Sequence, residues 1–202
     1  MKKTLFAVFA VVILIVASDV FAAGSLSPQK KKKKLEEKAP RAERDTREVA
    51  RLVKEVRKEL VTIPYFGVFD WLEGNVEADG RVYLRGEVTR PTMKSDAENR
   101  VKKIEGVDKV FNEIEVLPLS SNDDRLRAAV YRALFNSGSP LFRYGQGVVP
   151  SIHIIIKNGR LTLKGVVSSK SDSSLANVRA SGVSGLFEVK NELLVEASSK
   201  KK

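Results

Sequence analysis

The sequence predicts an α+β protein: two tandem αββαβ modules, each a three-stranded mixed sheet with two helices on one face. An internal echo, a turn signal and a helical period predict it. "DGRVYLRGEV" at 79–88 returns as "NGRLTLKGVV" at 158–167. Sliding the chain by 79 residues keeps Gly80 on Gly159, Arg81 on Arg160, Leu84 on Leu163 and Gly86 on Gly165. It also keeps Ala97 on Ala176, Gly106 on Gly185, Asn112 on Asn191 and Val116 on Val195, with no gap. Solenoid repeats run roughly 20 to 50 residues, so this period is that of a small domain. The second observation is Asn158-Gly159 between alternating apolar residues, a strong hairpin signal because both loop positions need positive φ. The third is apolar spacing of 3 and 4 ahead of each hairpin.

Taken in order, the first helix of module 1 carries Val49, Leu52, Val53, Val56 and Leu60 on one face and is stopped by Pro64. Its hairpin is expected to use a three-residue loop, Ala78-Asp79-Gly80, pairing Val76 with Val82, Gly74 with Leu84 and Leu72 with Gly86. A two-residue loop would turn Glu77 and Asn75 onto the apolar face, because a one-residue slip flips every side chain. Module 2 opens with a helix carrying Leu126, Ala129, Val130, Ala133 and Leu134. Its two-residue loop pairs Ile156 with Leu161, Ile154 with Leu163 and Ile152 with Gly165. The second helices are expected over 93–105, with Ser95 and Glu98 as a capping box and Gly106 as C-cap, and over 171–183. Third strands follow over 110–117 and 189–196, parallel to the strand before the helix by the right-handed crossover rule.

The flanks differ from this pattern. Residues 1–22 read as a cleaved signal peptide: Lys2 and Lys3, a 13-residue apolar run from Leu5 to Ala17, then Val20-Phe21-Ala22 before the cut. A retained anchor is the alternative, but a bilayer span needs roughly 20 residues. The chain has no cysteine, so neither a disulfide nor an acylated cysteine is available. Residues 23–45 form a basic linker, expected to be disordered, 46–118 and 123–197 the two modules, and 198–202 a basic tail. The net charge of +11 invites a nucleic-acid reading, which its location excludes. From Asp45 to Ala197, 23 Lys and Arg stand against 21 Asp and Glu. The excess lies in the ends, led by Lys30, Lys31, Lys32, Lys33 and Lys34, without the interleaved aromatics of a stacking groove. Such a run is a solvated linker or a source of attraction to anionic lipid, on the order of 1 kcal/mol per charge near the surface.

The segments "GRVYLRGEV … AENRVKKIEGVDKVFNEIEV" and "GRLTLKGVV … LANVRASGVSGLFEVKNELLV" resemble two BON domains. The pattern rests on Gly86 and Gly165, Ala97 and Ala176, Gly106-Val107 and Gly185-Leu186, and Asn112 and Asn191. It covers about 46–196, with a longer pre-hairpin loop, "NSGSPLFRYGQGVVP", in the second repeat. The resemblance implies non-enzymatic work in the bacterial periplasm and envelope. That work is association with anionic phospholipid surfaces or envelope proteins under osmotic and envelope stress, or holdase chaperoning of exported chains.

No cofactor or metal is expected. The one histidine, His153, is read as a surface strand residue, and Asp123-Asp124 as favourable charges at a helix N-terminus. Strand alternation puts Phe69, Trp71 and Tyr83 on the sheet face away from the helices, with Ile155, Thr162 and Val166 on that of the second sheet. These faces either are buried, against each other or against the helices and loops of their own module, or receive a partner, with Phe142 and Tyr144 as further loop anchors.

Overall fold

The computed structural model describes residues 46–196. The expected signal peptide, the segment with Lys30 to Lys34 and the tail lie outside the described residues.

Module 1 opens with α1 (Thr46–Val61), whose Leu52, Val56 and Leu60 are buried at the predicted spacing. Strands β1 (Trp71–Val76) and β2 (Arg81–Val88) pair antiparallel, with Leu72 opposite Gly86 and Val76 opposite Val82. Glu77 N donates to Arg81 O at 2.9 Å, which leaves 78–80 as the expected three-residue loop. α2 (Pro91–Val101) returns the chain to β3 (Lys109–Asn112) and β4 (Glu115–Val116), both parallel to β2. Module 2 repeats the order with α3 (Ser121–Phe135), β5 (Ile152–Lys157), β6 (Arg160–Val167), α4 (Lys170–Ser181) and β7 (Glu188–Val195). β6 lies between β5 and β7. Asn158 and Gly159 hold φ of 52° and 74° in the hairpin turn.

Each sheet buries one face under its own helices. Leu52, Val56, Leu60, Val82, Leu84 and Met93 build one core; Leu126, Val130, Leu134, Ile154, Ile156 and Leu163 build the other. Full burial of such a side chain contributes about 1.5–3 kcal/mol. Gly74 lets α1 lie close on β1, since a Cβ there would stand 2.7 Å from Val56 Cγ1.

Three local expectations are corrected. Helix α2 starts at Pro91 after Arg90 with no side-chain cap, because a proline at the first helical position loses no bonded N–H. Ser95 Oγ donates back to Thr92 O instead. The second helices also stop early, at Val101 and Ser181, and Gly106 takes its positive φ of 95° in a later turn. The third strand of module 1 is broken at 113–114. There Asn112 Oδ1 accepts the Ile114 N–H at 3.2 Å and its Nδ2 donates to Lys94 O at 2.9 Å. Asn191 ties β7 to Ser173 and Leu193 in the same way, without breaking that strand.

Candidate interaction surface

Pro64 ends the helical region, and the chain crosses from α1 to β1 through 65–70. Asp70 organises this loop. Its buried carboxylate accepts Gly67 N at 3.1 Å, Thr89 N at 2.7 Å and Thr89 Oγ1 at 2.8 Å. A buried carboxylate without such donors is costly, so these bonds fix the loop's path. Tyr65 adopts a positive φ of 68°, with the Arg90 guanidinium 4.3 Å from its ring centre.

The loop held in this way reaches module 2. Val68 O accepts the Ile154 N–H at 2.7 Å, along the outer edge of β5, and Val68 and Phe69 pack against the second core. The Phe69 ring meets Tyr131 of α3 edge-on at 6.2 Å. On the opposite face of that sheet, His153 sits between Phe66 at 5.6 Å and Trp71 at 5.1 Å, with Nδ1 3.2 Å from Gly67 O. It is 3 % exposed, which corrects the surface reading: its own strand is open on that face, and module 1 covers it. Burial holds its imidazole below the ordinary 6.5, against the pull of backbone acceptors and Asp70. Ile155 is buried on the same face. Lys164 pairs with Glu87 at 3.1 Å and Lys157 with Glu115 at 2.5 Å, adding charge contacts between the modules.

The aromatic residues proposed for partner contact are therefore divided. Phe69 and Trp71 are half-buried in the contact between modules. Tyr83 lies on the solvent side of β2, stacked on Phe111 at 4.7 Å and 8°. The Lys109 ammonium stands 4.6 Å from the Phe111 ring centre, and Arg81 and Arg85 are exposed on the same strand as Tyr83. Phe142 is exposed. Tyr144 is buried and offers no ring to a partner: its hydroxyl donates to Asp172 Oδ2 at 2.9 Å and accepts Ser168 N–H at 2.9 Å. The longer loop of module 2 needs that anchor, since it has no strand to hold it.

Sequence reasoning missed Asp70 and Phe111, and gave Asp123 too small a role. Asp123 accepts from Asn158 N and Gly159 N, both at 2.8 Å, so it closes the hairpin as well as charging the start of α3. Phe111 was legible as the strand neighbour of Tyr83 once the parallel register is drawn. Among the described residues no three His, Cys, Asp or Glu converge on a metal site, and no helix is long and apolar enough to cross a membrane.

These features define a tandem α+β protein whose paired αββαβ modules are joined by a buried contact. The BON domain family model matches residues 73–118 and 122–197, and the chain belongs to the BON-domain family. It is 32% identical over 125 residues to the outer membrane lipoprotein DolP of Haemophilus influenzae, covering 58% of this chain. The chain spans 61% of the length of that relative. Two solved structures of CdsD, a structural protein of the type III secretion system of Chlamydia trachomatis, are 13% identical and cover 72% of this chain. They are matched over 92% and 98% of their own lengths with TM-scores of 0.28 and 0.26, superpositions too loose to carry weight.

Proposed function

We propose that this chain is a non-enzymatic periplasmic binding protein that associates with anionic phospholipid surfaces or envelope proteins and supports envelope integrity under stress. The observation that carries the reading is the solvent face of the first sheet, where the stacked Tyr83 and Phe111 lie beside Lys109, with Arg81 and Arg85, on the same strand as Tyr83, ion-paired to Asp79 and Glu113. Aromatic rings next to basic side chains suit an interface with an apolar interior and a negative surface. The export signal expected over residues 1–22 and the outer-membrane relative support the same reading. Lys30 to Lys34 add long-range attraction, and Phe142 a further anchor.

Sedimentation with vesicles rich in an anionic phospholipid, against zwitterionic ones, tests it. Binding should favour the anionic vesicles and fall with salt. Tyr83→Ala with Phe111→Ala should weaken it, as should deletion of 24–44, while both proteins keep their melting temperatures. Absence of sedimentation at low salt would refute the lipid reading. A holdase role is supported by exposed Phe187, Val178 and Leu119. It requires suppressed aggregation of an unfolded client that is insensitive to salt.

A further inference from the structure

We propose that His153 is a pH-sensitive latch between the two modules: uptake of a proton by its imidazole releases the 65–70 loop of module 1 from module 2. This is independent of what the protein binds.

The geometry concentrates the contact on one titratable ring. His153 is the chain's only histidine, and both rings packed on it, Phe66 and Trp71, belong to module 1. The Gly67 carbonyl meets its Nδ1, and the next carbonyl, Val68 O, takes the N–H of the next strand residue, Ile154. The loop's hold on β5 thus brackets the imidazole. A neutral ring fits this slot, whereas an imidazolium would exchange its water for the Phe66 and Trp71 rings and the backbone acceptors of Asp70, Gly67 and Pro150, which offset only part of the cost of burial.

The charged groups around it do not supply a dedicated counter-ion. From β6, Lys164 stands directly across from His153 and has the same sign as an imidazolium. From β2, Glu87 is engaged by Lys164. From β1, Glu73 accepts the Trp71 indole N–H. From the loop, Asp70 attracts a proton onto His153, but its oxygens are already bound to Gly67 and Thr89. Burial is the largest influence on the ring and lowers its proton affinity. The sign follows: when the modules part, the ring recovers an ordinary affinity, so acid favours the parted state. Between the ordinary value and the lowered one, the equilibrium shifts by up to about tenfold per pH unit.

Trp71 is the only tryptophan in the chain, and its ring touches the latch, so its fluorescence reports the event. The full chain is titrated from about pH 8 to about pH 5 while Trp71 emission and the small-angle-scattering radius of gyration are followed. The expected result is one transition with a single-proton slope, centred below 6.5, in which emission changes and the radius grows. His153→Phe, which fills the slot with a ring that cannot titrate, and His153→Gln should both hold the radius constant across the range. A change in emission at constant radius would overturn the latch, as would the same expansion in His153→Phe. If His153→Gln does not fold, the phenylalanine variant decides alone.

Discussion

Asp123 Oδ1 accepts the N–H of Gly159 at 2.8 Å across 36 residues of sequence. Its other oxygen takes the N–H of Asn158 at 2.8 Å, so the first turn of α3 and the β5–β6 hairpin close on one buried carboxylate. Asp123→Ala strands two backbone donors and should cost about 2–4 kcal/mol. Chemical denaturation of the full chain measures it. Asp123→Asn, which keeps one acceptor, should fall between the alanine variant and the parent.

Gly86 and Gly165 carry φ of 130° and 122°, and a Cβ would stand 2.0 Å from Trp71 O and Ser151 O respectively. No rotamer relieves a clash with backbone, and the dihedral is itself strained for any L side chain. Gly86→Ala and Gly165→Ala should each destabilise the affected module by roughly 4 kcal/mol or more. Circular dichroism during thermal melting should show that loss, and an unchanged melting temperature would contradict it.

Phe69 and Trp71 hold the modules together, so removing both rings should act on stability. Phe69→Ala with Trp71→Ala should lower the unfolding midpoint by several degrees, about 2–4 kcal/mol for two half-buried aromatics. Vesicle binding by the chain that remains folded should persist. The opposite pattern, lost binding at an unchanged midpoint, would return these rings to the partner-binding face.

Acid should erode stability in a second, lower window. The Ser169 hydroxyl, with help from Tyr144 and Arg143, holds the Asp172 carboxyl below its usual 3.8. Its folded value is depressed, so its contribution is fully present above the usual 3.8 and is lost as pH falls from there through the lowered value. Asp172→Asn should flatten the melting-temperature profile below about pH 4 and leave the region near pH 6 untouched.

The paired hairpins and helices were legible because periodicity, glycine placement and a buried face all act along the strand. The first hairpin register follows from keeping polar Asn75 and Glu77 off the apolar side, the second from the two-residue Asn158-Gly159 loop that aligns the isoleucines of β5 with Leu161 and Leu163, and both are observed. The contact between modules was not legible in that way. His153 reads as exposed from its own strand, since what buries it lies 86 residues earlier in the chain. Asp70 was invisible for a related reason: its partners, Gly67 and Thr89, are unremarkable until the loop folds back. The failed Ser95–Glu98 capping box shows a third limit. A pattern for the helix start was present, but Pro91 set the start earlier, and Glu98 instead binds Lys102 and Asn112.

The Val68 carbonyl on the Ile154 amide has a consequence for the second half of the chain on its own. Ile152–Ile156 is a run of isoleucines interrupted by one histidine and free of charge at neutral pH, the composition of a segment that assembles into cross-β fibrils. In the intact chain its outer edge carries a neighbour's backbone. Cut away from module 1, the strand would present an open template to its copies. A proteolytic cut between the modules, within 117–120, would therefore leave an amyloid-prone fragment.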